Sequence, residues 1–250
     1  VSVTRLTMAD GVSLAVESLG AGRPVVLVHG FLSHAAMNWI NPGIAARLVD
    51  AGFQVIMPEF RGHGRSDTPT DPALYPPDVL TRDIEGVIAV LGLTDYDLVG
   101  YSLGARTSLR VVLRGNVPAP RRLVLGGMGL SGLLESTGRR DWFVDTIRRR
   151  EEPDQTPAQQ TVTRFIKATR SNPEAAVLAL LSQVDSRADD LARLALPVLV
   201  VCGEADQDNG SAPDLAAAIP GATLAIVPGT HMSVIVAPAF AAAIADFLRA

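Results

Sequence analysis

The 250-residue chain is 48% hydrophobic and 19% charged, which excludes a disordered chain and supplies one large domain with a sizeable core. Its net charge of -4 comes with no dense basic tract, arguing against nucleic acid as a partner; Arg148-Arg149-Arg150 is answered at once by Glu151 and Glu152, as at a solvated helix end. The single cysteine, Cys202, excludes an intrachain disulfide and, following the apolar run 198–201, is expected to be a buried structural thiol.

Residues 1–5 lack the charged-then-apolar pattern of a secretory signal, and a chain that does not begin with Met leaves an upstream segment open. The longest weakly polar run, 234–248, contains Pro238 and Asp246 and is too short to span a bilayer. No membrane span and a cytoplasmic location are therefore expected.

Residues 1–19 alternate apolar and polar around Ala9-Asp10-Gly11, the pattern of a hairpin. Val25-Val26-Leu27-Val28 is a continuous apolar run, as in a strand covered on both faces, and it ends in His29-Gly30-Phe31-Leu32. Residues 35–51 read as helical, with a break and restart at Pro42-Gly43, Ile44 and Leu48 on one face, and Gly52 as the stop. A strand over 53–57 opens into a Gly-punctuated loop, and Pro69, Pro72, Pro76 and Pro77 keep the chain irregular. Asp78 is then expected to cap a helix running to Leu91.

A short strand ending at Gly100, a helix from Leu103 and a strand over 121–125 follow. From about 128 to 194 no strand run occurs; helical segments fall near 140–150, 157–169, 173–184 and 189–194, with Pro157 and Pro173 at first-turn positions. A strand over 197–202, a helix over 212–219, a strand over 222–227 and a closing helix over 232–249 complete the chain. The expected fold is α/β: a mostly parallel eight-stranded sheet with an antiparallel N-terminal hairpin and helices on both faces. Residues 1–127 and 195–250 form the core, and 128–194 a helical cap or lid.

Between the strand ending at Gly100 and the helix at Leu103 sits one serine, in Gly100-Tyr101-Ser102-Leu103-Gly104. Turning so sharply strains the serine backbone, demands tiny flanking residues, lifts the hydroxyl above the sheet and faces it with the Leu103 N–H. Taken alone, the pattern also suits an ordinary turn with a serine helix cap. A nucleophilic serine needs a base, and of His29, His34, His63 and His231 only His231 lies between the last strand and last helix. The base needs an orienting carboxylate, and Glu204, Asp206 and Asp208 follow the preceding strand.

The elbow spacing and the order Ser, Asp, His resemble the α/β-hydrolase family over essentially the whole chain. The resemblance selects Asp206 as the acid, three residues after Gly203. It makes His29 structural and the backbone N–H groups of Phe31 and Leu103 the oxyanion hole. His63, in Arg61-Gly62-His63-Gly64-x-Ser66, takes a structural role. Glu59, where relatives commonly carry Asp, is expected to pair with Arg61, and His34 to be an exposed residue at the pocket rim or helix start. No histidine pair has metal-ligand spacing, and no metal or cofactor is implied.

Epoxide hydrolases and dehalogenases of this fold attack with Asp where this chain has Ser102, and Tyr75, Tyr96 and Tyr101 all fall outside the cap. The resemblance therefore implies a carboxylesterase cleaving small apolar carboxylic esters through an acyl-enzyme. Carbon–carbon bond (diketone) hydrolases, lactonases and perhydrolases use the same triad, and a ligand-binding sensor on the same fold is the alternative of another class. Asn38 and Arg106 are near enough to grip polar substrate groups, although Asn38 is expected to face solvent and Arg106 to project from its helix. Substrate choice is assigned to the cap. Trp142 and Phe143 are the substrate-binding candidates among apolar cap residues that include Ile147, Phe165, Ile166, Leu178 and Leu181, and the glycines of 127–138 are a hinge. Nothing in the sequence sets an oligomeric state.

Overall fold

A computed structural model describes residues 2–135 and 137–250. Val1, placed by sequence in the first strand, and Ser136, inside the expected cap, lie outside the described residues.

The alternating N-terminal residues pair as a hairpin: β1 (Ser2–Thr7) runs antiparallel to β2 (Ser13–Leu19), with Gly11 at φ +86° in the turn. The apolar runs become β3 (Arg23–Val28), β4 (Phe53–Pro58), β5 (Asp97–Tyr101), β6 (Leu123–Gly126), β7 (Val198–Gly203) and β8 (Thr223–Val227). They form one eight-stranded sheet in the order β1-β2-β4-β3-β5-β6-β7-β8. β2 pairs antiparallel with β4, and every later pairing is parallel.

Successive side chains of a strand point to opposite faces, so a continuous apolar run must be covered twice. On one face Val26, Val28, Leu98, Leu125 and Val200 pack beneath α2 (Val79–Val90), α3 (Leu103–Arg114) and α9 (Ala212–Ala218). On the other, Val25, Leu27, Val99, Val124 and Val201 meet Ile44 and Leu48 of α1 (Ile44–Asp50) and Phe240 and Ile244 of α10 (Pro238–Arg249). Each such buried aliphatic or aromatic side chain contributes about 1.5–3 kcal/mol of transfer free energy.

Five helices stand between β6 and β7 among the described residues: α4 (Leu130–Leu134), α5 (Thr137–Arg148), α6 (Pro157–Thr169), α7 (Pro173–Leu181) and α8 (Ala188–Leu191). Thr156 and Gln159 form a reciprocal capping box on α6, and Asn172 accepts the Glu174 and Ala175 N–H groups at the start of α7. Val144, Ile147, Ile166, Val177 and Leu180 bury one another and Leu32 in a separate small core. Leu178 packs instead on the main core, and Leu181 is 45% exposed, so helical spacing alone did not place these two in that separate small core.

Several elements depart from the sequence expectation. The turn over Ala36–Ile40 is a wide one, with the Asn41 N–H bonded to the Ala36 carbonyl five residues back; Gly43 at φ +81° then lets α1 restart. Asp78 precedes α2 at φ +65° without capping it, because Arg110, Arg114 and Thr81 take its carboxylate. The closing helix begins at Pro238, not at 232: a single turn over Val234–Val236 precedes it, and a proline without an N–H belongs at a first turn. The five-residue α4 is too short to show a period. No helix among the described residues is long and apolar enough to cross a membrane.

Candidate active site

The turn after β5 holds Ser102 at φ 53° and ψ -115°, a strained conformation for a residue with a side chain. A Cβ on Gly100 would lie 2.2 Å from the Gly104 carbonyl oxygen, and one on Gly104 would lie 2.0 Å from that of Val28. Both glycines are thus required for α3 to approach its strands. Ser102 caps nothing with its side chain; its Oγ lies 3.1 Å from His231 Nε2. The ordinary capped turn is thereby set aside.

His231 and Asp206 come from the two loops after β8 and β7. The Ala205 N–H donates to the Gly229 carbonyl at 3.0 Å and the Glu204 N–H to that of Val227 at 2.8 Å, so the loops travel together. A Cβ on Gly203 would lie 2.3 Å from the Gly229 oxygen, which explains the glycine that opens the acid loop. His231 Nδ1 lies 2.8 Å from Asp206 Oδ2. A carboxylate only accepts, so Nδ1 carries the proton and the neutral ring's Nε2 is left to accept from the serine hydroxyl. Of the two rival carboxylates, Glu204 is exposed and Asp208 pairs with Arg139 at 3.0 Å.

Asp206 is 3% exposed. Burial pushes its carboxyl up, but hydrogen bonds from His231, the Asp208 N–H and the Cys202 thiol outweigh this and hold it below the usual carboxylate range. Burial, reinforced by the Asp206 charge, pushes the Cys202 thiol up to about 12, so it stays a protonated donor. Tyr101 completes the surround. Its hydroxyl donates to the His231 carbonyl, its ring centroid lies 5.3 Å from the imidazole, and burial pushes its phenol up.

His29 is fully buried between two backbone groups. Its Nε2 accepts from the Phe60 N–H at 3.0 Å, so its Nδ1 carries the proton and donates to the Gly30 carbonyl at 2.7 Å. Burial, then the nearby His63, holds its pKa well below the ordinary histidine value. The N–H groups of Phe31 and Leu103 have no acceptor among the described residues, and both residues line the pocket that holds Ser102 and His231.

Three sequence expectations are corrected here. Glu59 does not pair with Arg61. Glu59, 1% exposed, accepts the N–H groups of Ala35 and Arg65, while Arg61 binds Asp83 through two hydrogen bonds of 2.7 and 2.6 Å and reaches Asp10 at 2.7 Å. Asn38 does not face solvent: it is 3% exposed and accepts the Gly30 N–H. Nor does Arg106 merely project from α3, because it is 4% exposed, donates to the Gly132 carbonyl at 2.5 Å and binds Asp185. Two glycines of the 127–138 segment also have another purpose than a hinge. A Cβ on Gly129 would lie 2.2 Å from the Gly210 oxygen, and one on Gly132 2.7 Å from Asn209 Cβ.

His63 is buried, donates from Nδ1 to the Arg61 carbonyl, and plays no part at Ser102. His34 is half-buried at the helix start, rather than exposed as expected, because it packs 4.0 Å from Glu59, and it is not among the pocket-lining residues. The pocket above Ser102 has a volume of about 770 Å³, and Trp142 and Phe143 both line it. Phe143 meets Phe31 edge-on at 5.4 Å and Trp142 at 4.9 Å, making an aromatic wall with Phe165 beside it. No group of three or more His, Cys, Asp or Glu among the described residues is arranged to hold a metal. Tyr101 and Cys202 were not read as site neighbours from sequence; of the two, Tyr101, adjacent to Ser102, carried a positional signal.

The alpha/beta hydrolase fold signature matches residues 23–132. An epoxide hydrolase of Caballeronia sordidicola is 31% identical over 62% of this chain and 48% of its own. An N-formylmaleamate deformylase of Pseudomonas putida is 35% identical over 52% of this chain and 47% of its own. The chain thus spans about half the length of these curated relatives. An esterase from Exiguobacterium antarcticum superposes with a TM-score of 0.81, covering 99% of both chains at 22% identity, which shows a shared fold. The chain has the α/β-hydrolase fold, and its residues 23–132 match that family's model.

Proposed function

We propose that the protein is a serine hydrolase, a carboxylesterase cleaving small apolar esters through an acyl-enzyme. The observation that carries this reading is the continuous hydrogen-bonded chain from Asp206 to His231 at 2.8 Å and from His231 to Ser102 at 3.1 Å. Ser102 Oγ attacks the ester carbonyl carbon while His231 Nε2 takes its proton. Negative charge gathers on the carbonyl oxygen, where the N–H groups of Phe31 and Leu103 receive it. Asp206 keeps the imidazole in the correct tautomer and stabilises the imidazolium. His231 returns the proton to the leaving alcohol, then deprotonates the water that releases the acid and frees Ser102.

Residues 128–194 act as the lid in this reading, with Trp142 and Phe143 on its pocket face. The serine at the elbow separates the chain from Asp-dependent epoxide chemistry, whatever the name of a relative. The test is turnover of p-nitrophenyl esters of increasing acyl length beside a lactone and a vinylogous diketone. The volume of about 770 Å³ exceeds what the smallest ester fills, so the panel extends to long-chain and aryl esters. Sustained turnover of the esters is expected. Faster cleavage of the diketone would move the assignment to carbon–carbon bond hydrolysis, and one-equivalent, non-recycling acylation would indicate a sensor.

A further inference from the structure

Asn38 has no part in the chemistry as written, yet its placement is unusual for a packing residue. It is 3% exposed, and its Oδ1 accepts the Gly30 N–H at 2.9 Å. A backbone N–H can only donate, so the oxygen must face Gly30 and the amide Nδ2 must point the other way. That Nδ2 is buried with no partner among the described residues. A leucine of similar size would fill the space without burying an unpaired donor, so packing stability does not select asparagine here. The oxygen's contact does.

Gly30 is where that contact matters. A Cβ built on it would lie 3.5 Å from Asn38 Oδ1 and 3.6 Å from Ser102 Cβ, so the glycine sits between the amide and the nucleophile. The peptide joining Gly30 to Phe31 is held from its carbonyl side, which accepts from His29 Nδ1 at 2.7 Å and from the Ser33 N–H at 3.3 Å. In a trans peptide the Phe31 N–H points opposite to that carbonyl. The remaining freedom lies in rotation about Gly30 itself, the residue type with the least restricted backbone. Asn38 fixes the peptide on the other side of that joint.

We propose that Asn38 is a positioning residue for the reaction: by clamping the Gly30 N–H it aims the Phe31 N–H at the developing oxyanion. The proposal rests on the Ser102 acyl-enzyme reading. Removing an oxyanion donor outright costs about 10²–10³ in kcat, and a donor left in place but loosely aimed is expected to cost about 10- to 100-fold.

The experiment compares wild type, Asn38→Leu and Asn38→Asp on p-nitrophenyl acetate, alongside amide exchange at Gly30 and thermal stability. Asn38→Leu should lower kcat by about 10- to 100-fold with KM changed less than about 2-fold, and Gly30 should lose its exchange protection. Its affinity for a trifluoromethyl ketone transition-state analogue should fall by the same factor as kcat/KM. Asn38→Asp keeps an acceptor and should restore most of both kcat and protection. Loss of Gly30 protection with unchanged kcat overturns the proposal and leaves the Ser102 reading standing. Equal damage by Leu and Asp, or a kcat loss that only tracks the unfolded fraction, also overturns it. Absence of acylation in the wild type removes both.

Discussion

Replacing His63 should change how stability depends on pH as well as its size. The side chain is 1% exposed, with ring centroids of His29 and Phe31 at 5.5 and 5.8 Å, and its Nε2 has no partner among the described residues. Burial, with the charge of His34 adding to it, pushes its pKa down from 6.5 to about 4. On acidification the unfolded chain takes up a proton near pH 6.5 that the folded chain refuses until about pH 4. The contribution is therefore complete above pH 6.5 and is lost as pH falls toward 4. Over that interval, 6.5 minus 4 or about 2.5 pH units at about 1.4 kcal/mol each, His63 alone removes about 3 kcal/mol of stability.

His63→Gln retains a donor for the Arg61 carbonyl and does not titrate. Its absolute stability is expected to be lower, but its slope against pH should be shallower than wild type by one proton's worth. Subtracting the two curves cancels Asp83 and the other groups that do not interact with His63, while His29 stays neutral in both because burial is the larger cause of its lowered pKa. Urea unfolding at pH 6.5, 5.5 and 4.5, followed by the fluorescence of the buried Trp39, supplies the curves. Parallel wild-type and variant curves would refute the reasoning, because His63 would then titrate as freely folded as unfolded.

Asp206→Asn should keep the fold and slow ester hydrolysis by roughly 10⁴, since the imidazole would adopt the wrong tautomer; a small loss, with Asp208→Asn severe instead, would move the role. Tyr101→Phe removes the donor to the His231 carbonyl while keeping the ring contacts, and should lower kcat by about 10-fold with little change in KM; equal kcat would show that the loop needs no such tether. Phe143→Ala and Trp142→Ala should shift preference toward longer or bulkier acyl chains, by about 1–3 kcal/mol per methylene-sized change, while the smallest ester is largely retained. Loss of all activity in step with stability would place both residues in cap packing instead.

Much of this layout was legible because a few residues leave little choice. A continuous run such as Val25–Val28 has to be covered on both faces, and glycines around one serine at a strand end fit few turns. Strand placement put Ser102, then Glu204, Asp206 or Asp208, then His231 at strand ends in that order, and the family resemblance selected Asp206 among the three carboxylates. What the sequence did not disclose was which polar partners meet across the fold. Glu59 and Arg61 are two residues apart, yet strand-end geometry sends Arg61 to Asp83 and Glu59 to the backbone amides of Ala35 and of Arg65 in its own loop. Asn38 reads as a surface residue in a helical segment; only the wide turn of Ala36–Ile40 rotates it toward Gly30. The Gly129 and Gly132 contacts were hidden for the same reason, since their partners are about 80 residues later at Asn209 and Gly210.

The central claim is that Ser102 is the nucleophile. A fluorophosphonate probe followed by peptide mass mapping tests it most directly. Stoichiometric modification of Ser102 is expected, with labelling abolished in Ser102→Ala and turnover reduced by on the order of 10⁶. Modification at another serine such as Ser66 or Ser131, or ester turnover that survives Ser102→Ala, would contradict it.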